Sequence, residues 1–352
     1  MVKRKNVHAY FSMVFLFFLL LFSSVYSLKI GVFPVSERDL FSLFYYYIFD
    51  IHSPEADLLM TSSLYDVVWE LRLPRILMAL IAGAGLAVGG VVMQALVRNP
   101  LADPYILGIS SGAAMGATVG IVLGGLTFLG HLSVAIGAFL GAFLSAAIVF
   151  ALSSLRGRRN TSVKMVLTGM AVNAVFGAGT SLIVYLAKDA EGIRSAIFWM
   201  MGSLSSATWQ LIPATGLLTI LSSLIFFTQF RALNASLLGD EMATVLGVDL
   251  LLMRKILLVV VSLLISAIVS CTGIIGFVGL VIPHIVRMLW GTNHCIVLPM
   301  SMLSGAIFLL WCDIAARTIL FQAELPIGII TALIGGPVFL YLLLSKRYGF
   351  GD

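Results

Sequence analysis

Charge is what this chain is shortest of. Only 11% of its 352 residues are Asp, Glu, Lys or Arg, against 60% hydrophobic residues and a mean hydropathy of +1.08. That balance cannot cover a soluble domain with polar surface, so the sequence is that of an integral membrane protein. Three cysteines, Cys271, Cys295 and Cys312, are too few for a disulfide scaffold. The chain lacks a G-x-x-x-x-G-K-[ST] run and so does not bind ATP through a phosphate loop. Its five histidines, at 8, 52, 131, 284 and 294, fall in different segments without metal-ligand spacing, which disfavours a membrane-embedded metalloenzyme. Ionisable residues are scarce inside the apolar runs, apart from His284 and an Asp313, Arg317 pair four apart, which a helix satisfies internally. A proton-coupled carrier needs such groups at mid-membrane, so an ATP-independent secondary carrier is the weaker alternative. The basic pI near 9.2 records orientation in a bilayer rather than nucleic-acid binding.

What is present is a series of long apolar runs. About 20 residues cross ~30 Å of hydrocarbon as a helix. The stretches 6–28, 76–97, 165–187, 288–312 and 325–345 are free of Asp, Glu, Lys and Arg and read as one span each. The stretch 104–155 holds two, broken around Gly124, Gly125 and Gly130. Residues 195–230 suggest a half-helix to about Ser206 and then a span from Thr208. The glycines at 273, 276 and 279 with Pro283 divide 256–286 between two spans, one starting before Arg254 and one continuing past Arg287. The expectation is an all-α polytopic protein of about ten spans, a single transmembrane domain over 1–352.

Lys3, Arg4 and Lys5 precede the first apolar run, which is long for a signal peptide and is followed by no A-x-A site, so a retained first span is the better reading. Both termini are then expected in the cytoplasm. The loops assigned to that side carry 14 Lys plus Arg and 5 Asp plus Glu, and the outer ones 7 and 11, in agreement with the positive-inside rule. Within the spans, Gly83, Gly85, Gly89 and Gly90, then Gly112, Gly116 and Gly120, then Gly137 and Gly141, predict closely approaching backbones. The long external stretch 29–70 holds seven acids against Lys29 and Arg38 and carries no recognisable signature.

Four stretches stand out from this background. Arg72-Leu73-Pro74-Arg75 leads through Gln94 into Arg98-Asn99-Pro100-Leu101-Ala102-Asp103-Pro104 and Leu107-Gly108-Ile109-Ser110-Ser111-Gly112. Phe198-Trp199-Met200-Met201-Gly202 is the second, and Gly239-Asp240-Glu241-Met242-Ala243-Thr244-Val245-Leu246-Gly247 the third. The fourth runs from Gly273 through Pro283-His284 to Arg287, followed by Glu324-Leu325-Pro326 and Gly335-Gly336-Pro337. Together, over about Leu71 to Leu344, they resemble the FecCD-type permease subunits of ABC importers for iron-siderophore complexes, haem and vitamin B12.

The resemblance implies a type II ABC importer permease fold in the cell membrane, a multi-pass homodimer in the lipid bilayer. It implies two partner ATPase subunits carrying ATP and Mg, with no cofactor on this chain, and an external substrate-binding protein. The cytoplasmic loop 231–255 is the candidate coupling element. Asp240 and Glu241 sit where a helix N-terminus favours negative charge, and Leu237, Leu238, Val245 and Leu246 offer an apolar face. The alternative is a helix lying on the membrane surface. By resemblance, Leu238, Gly239, Asp240, Glu241, Ala243, Leu246 and Gly247 make the ATPase contact. Arg72, Arg75 and Arg317 dock the binding protein, against the alternatives of interfacial anchoring or an internal Arg317 to Asp313 pair. Asn99 and Leu101, with Thr161 and Ser162, match the cytoplasmic gate, or are simply tight turns. Trp199, Met200 and Met201 line or flank the path, or serve as packing and lipid anchors. Iron-siderophore is the expected cargo, haem or vitamin B12 next, with an oxyanion such as molybdate open because related permeases handle it.

Overall fold

The computed structural model describes residues 2–31, 33, 35–49, 53–154, 162–320 and 323–344, and among these every regular element is a helix. In chain order they are α1 (Val2–Lys29), α2 (Glu37–Ile48), α3 (Pro54–Met60), α4 (Ser63–Tyr65), α5 (Leu73–Val97), α6 (Ile109–Val122), α7 (Ser133–Ser154) and α8 (Ser162–Tyr185). Then come α9 (Ala190–Met200), α10 (Ile212–Thr228), α11 (Phe230–Leu237), α12 (Asp240–Val245), α13 (Leu250–Thr272), α14 (Val278–Trp290), α15 (His294–Thr318) and α16 (Ile327–Leu344). A π-helical turn, Asp66–Arg72, feeds α5, and 3₁₀ turns stand at Pro104–Leu107 and Thr127–Leu132.

Six helical stretches are long and apolar enough to cross a membrane, and α10 with α11 forms a further pair bent by 59°. Three shorter apolar helices, Ile109–Val122, Val278–Trp290 and Ile327–Leu342, lie in charge-free runs from which further spans were expected, so six or seven full-length spans stand against the ten expected. This is a multi-pass membrane protein.

The chain-internal breaks follow local chemistry. Asp189 caps α9 by accepting from the Gly192 N–H at 2.6 Å, which turns the half-helix expected before Thr208 into a defined element. Between α13 and α14, Gly273 (φ 67°) and Phe277 (φ 68°) hold a non-helical stretch, whereas Pro283 lies inside α14 without ending it. The span expected at 288–312 lies about six residues later, because Gly291 (φ 88°) closes α14 and the Asn293 side chain caps α15 at Cys295 N, 3.1 Å away. Asp313 and Arg317 therefore fall within a helix that a search for charge-free runs would stop at. The stretch 29–70, expected only as an external loop, contains α2, α3 and α4.

α5 is the axis of the bundle. It packs on α15, α14, α13 and α10, and most of its residues are buried. A Cβ on Gly83 would lie 2.3 Å from the Gly305 carbonyl oxygen of α15, and one on Gly90 would lie 1.9 Å from that of Gly279 in α14. α6 and α7 meet the same way, Gly112 against Gly141 and Gly116 against Gly137. In lipid the hydrophobic effect does not drive helices together, so such direct backbone contact is a main source of cohesion.

Candidate coupling surface, gate and translocation path

The candidate coupling element is a helical corner. α11 leaves α10 at the 59° bend, and α12 follows after Gly239. Gly239 (φ 104°) and Gly247 (φ 81°) bracket α12 in backbone conformations that side chains rarely adopt, while open space surrounds both, so glycine is needed there for the turn rather than for room. Ala243 is fully buried and points inward. Leu238 at the end of α11 and Met242, Val245 and Leu246 along α12 and its C-cap are 62%, 54%, 81% and 59% exposed, an apolar ridge that no described residue covers. Met242 belongs to it although the sequence reading left it out; its place three and four residues before Val245 and Leu246 was the available signal.

Asp240 is engaged within the chain. It accepts from Arg254 of α13 at 2.7 Å and from Arg98, the residue that ends α5. Partial burial pushes its carboxyl up, but the bonds and charges of Arg254 and Arg98 outweigh this and hold the pKa below the ordinary carboxylate value. Neither arginine was paired with Asp240 from sequence, since Arg98 is 142 residues away and Arg254, 14 away, lies in the next helix.

At the end of α5, Arg98 adopts a left-handed conformation (φ 53°). Its N–H bonds the Ala95 carbonyl at 3.3 Å and the Asn99 N–H that of Gln94 at 3.1 Å, a Schellman ending with arginine where glycine is usual. The Asn99 side chain then accepts from Leu101 N–H at 2.9 Å, its carbonyl accepts from Ala102 N–H at 3.0 Å, and Asp103 caps the next turn at Tyr105 N, 2.9 Å. The turn is thus a fixed unit. The Tyr105 hydroxyl donates to the Ile275 carbonyl at 3.0 Å, which joins the unit to the break before α14. Of the other expected gate pair, Thr161 lies outside the described residues and Ser162 opens α8.

On the expected outer side Arg75 and Arg317 meet at Asp313, which is 0% exposed, and Arg72 is buried apart from it on backbone carbonyls. Arg75 Nε donates to Asp313 at 2.7 Å, and its two terminal nitrogens hold Glu324 at 3.0 and 2.6 Å. Arg317 pairs with Asp313 at 3.1 Å and donates to Ser27 Oγ and the Ile30 carbonyl at 2.7 and 3.0 Å. Arg72 donates to the carbonyls of Leu28 and Phe33. The internal Arg317 to Asp313 pair weighed from the sequence is therefore present, and the network ties α1, α5, α15 and the segment before α16 together. Glu324 was quoted in a motif but given no role, because a lone acid in a loop does not announce its partner.

A cavity of about 1050 Å³ opens beside α9. Seven hydroxyl residues, Ser195, Ser203, Ser205, Ser206, Thr208, Ser270 and Thr272, line it together with Phe198, Trp199, Glu191 and Arg194. Its wall is fixed by backbone bonds: Ser203 N–H to the Thr272 carbonyl at 2.8 Å, Ile327 N–H to Gly202 at 3.0 Å and Gly328 N–H to Met201 at 3.1 Å. Trp199 lines the space, while Met201 holds α16 through its carbonyl. Among the described residues no cluster of His, Cys, Asp and Glu could hold a metal ion.

The model of the FecCD transport family matches residues 19–345, nearly the whole chain. The protein belongs to the FecCD transport family. Relatives in that family include the hemin transport system permease protein HmuU of Yersinia pestis, 40% identical over 82% of this chain and 87% of its own length. The cobalamin import system permease protein BtuC of Halobacterium salinarum is 42% identical over 80% and 74%. The molybdate import system permease protein MolB of Haemophilus influenzae is 39% identical over 81% and 82%. A solved structure described as an inward-facing conformation of a metal-chelate type ABC transporter superposes with a TM-score of 0.79 at 34% identity, covering 94% of this chain and 98% of that one. As a FecCD member the chain is a transmembrane permease subunit of an ABC importer, a family distinct from the ATPase subunits.

Proposed function

We propose that this permease carries a chelated metal compound into the cytoplasm, an iron-siderophore first, with haem or vitamin B12 behind it. The cavity beside α9 carries this reading: at about 1050 Å³ it stands at the upper end of small-molecule sites, far beyond what a bare oxyanion needs. Its lining is mainly apolar, with Ile121, Leu132, Val134 and Leu211 beside Phe198 and Trp199, which suits the apolar body of a chelate, and its hydroxyls offer partners to the chelate's oxygens. The molybdate-named relative keeps an oxyanion as the second reading, with Arg194 as the cation that would meet it.

The permease works as two copies on two ATPase subunits, which supply ATP and Mg, and an external binding protein delivers cargo between the copies. The α12 ridge is the surface offered to the ATPase, with Leu238, Gly239, Asp240, Glu241, Ala243, Leu246 and Gly247 shaping it. The Asn99, Leu101 turn, with Thr161 and Ser162 opposite, is the cytoplasmic gate. Arg75 and Arg317 are committed to carboxylates of their own chain, so the three arginines serve docking by holding the outer ends of α1, α5 and α15 as a firm seat. N- and C-termini lie in the cytoplasm, as the basic residues indicate.

Affinity purification of the tagged permease from its native membranes tests this. Recovery of an ATPase subunit, with a binding protein that retains ferric siderophore, haem or cobalamin, is the expected result. A binding protein that retains molybdate and none of the chelates would overturn the cargo assignment.

A further inference from the structure

α11 of the coupling corner packs on α5, while α12 reaches the end of α5 through a side-chain ion pair. α12 rests on α11 and α13, and what reaches from it to the end of α5 is the Asp240 to Arg98 ion pair, with the carboxylate held from the far side by Arg254 at 2.7 and 3.3 Å. Arg98 is the residue immediately before Asn99, and it keeps a left-handed backbone that glycine would adopt with less strain. Retaining arginine at that place makes sense if its guanidinium has a task. Beyond it, the Asn99 to Asp103 turn is bonded internally and moves as a unit.

We propose that Asp240 and Arg98 are positioning residues that carry movement of α12 to the cytoplasmic gate turn, with Arg254 holding the carboxylate in register. This rests on the reading that α12 meets the ATPase and that the Asn99, Leu101 turn is the gate. It assigns Asp240 a partner within its own chain, so its work is transmission rather than adhesion to the ATPase. When the ATPase pulls α12, the shared carboxylate draws on both α13 and the last turn of α5. Side chains at 36% and 52% exposure form a pair of little value to stability in themselves, which suits a link that must shift during each cycle.

The test uses the purified complex of permease and ATPase subunit in detergent, carrying Leu101→Cys as a gate probe and Cys295→Ser to remove the partly exposed native thiol. The rate of labelling by a polar maleimide is read with and without Mg-ATP and vanadate. With Asp240 and Arg98 intact the rate changes several-fold on nucleotide trapping. Arg98→Gly, which suits the left-handed backbone and so preserves the turn, retains the ATPase subunit and its hydrolysis but loses the nucleotide response, and Asp240→Asn loses that response as well. Arg98→Lys, which keeps the charge, restores it. A response unchanged in Arg98→Gly and Asp240→Asn overturns the proposal. Loss of the ATPase subunit from Asp240→Asn but not from Arg98→Gly also overturns it, since Asp240 would then act on the subunit directly. Failure of the otherwise native chain to hold an ATPase subunit would contradict the function beneath the proposal instead.

Discussion

Asp313 shows how one buried carboxylate sets the environment of its neighbours. It is fully buried and neutralises Arg75 and Arg317, whose side chains are only 11% and 10% exposed. Removing one member of a buried pair costs ~3–5 kcal/mol because the other charge is left uncompensated. Asp313→Ala should therefore lower the thermal unfolding midpoint of the purified protein in detergent by several degrees, and Asp313→Asn by less. An unchanged midpoint would show that water reaches the arginines. Asp240 behaves differently because it is half exposed, outside the spans. Its pKa is lowered in the folded chain, so the stability it adds is present above the unfolded carboxylate value near 4 and is lost as pH falls through the folded pKa. The nucleotide response of the gate probe should accordingly be flat from about pH 7.5 to pH 5.5; a titration within that window would point to a group other than Asp240.

At the scale of elements, the glycine contacts and the α12 ridge make opposite predictions about substitution. A Cβ on Gly90 would stand 1.9 Å from a backbone oxygen of α14, which a side-chain rotation cannot relieve. Gly90→Ala should separate α5 from α14 and reduce the yield of monodisperse protein on size exclusion. Gly177, inside α8 with nothing of this chain within 4 Å, should tolerate alanine or gain about 0.5–1 kcal/mol from helix propensity. On the ridge, Val245→Asp removes an 81% exposed apolar contact without touching the core, and the expected outcome is loss of the ATPase subunit on co-purification while the permease stays folded. The helices themselves were legible because each charge-free run near 20 residues has one cheap solution in lipid, and the small-residue spacing in α5, α6 and α7 announced where backbones would touch. The shift of α15 was not legible: its start depends on the Asn293 cap, and its end on a buried ion-pair network assembled from residues 75, 313, 317 and 324. The three helices within 29–70 were hidden for a related reason. Their packing leans on a cluster of tilted aromatic rings distant in sequence, Tyr47 on Trp69 at 4.1 Å and Trp69 on Trp209 at 5.8 Å, that has no local periodicity.

For the molecule as a whole, sequence motifs identified the family, and the structure shows what the motif residues touch. α5 runs from the arginine network at one end to the gate turn at the other, and α12 sits beside that turn under an uncovered apolar ridge. The FecCD family supplies the permease subunit of an ABC importer and not its ATPase, and this sequence holds no phosphate loop. The central claim is therefore that uptake requires a separate ATPase. Reconstitution into proteoliposomes, with the ATPase subunit inside and the loaded binding protein outside, tests it most directly. The account predicts accumulation of the binding protein's cargo only when Mg-ATP is enclosed with the ATPase. Accumulation in vesicles holding this chain alone, without ATP, would contradict it and make the protein a secondary carrier.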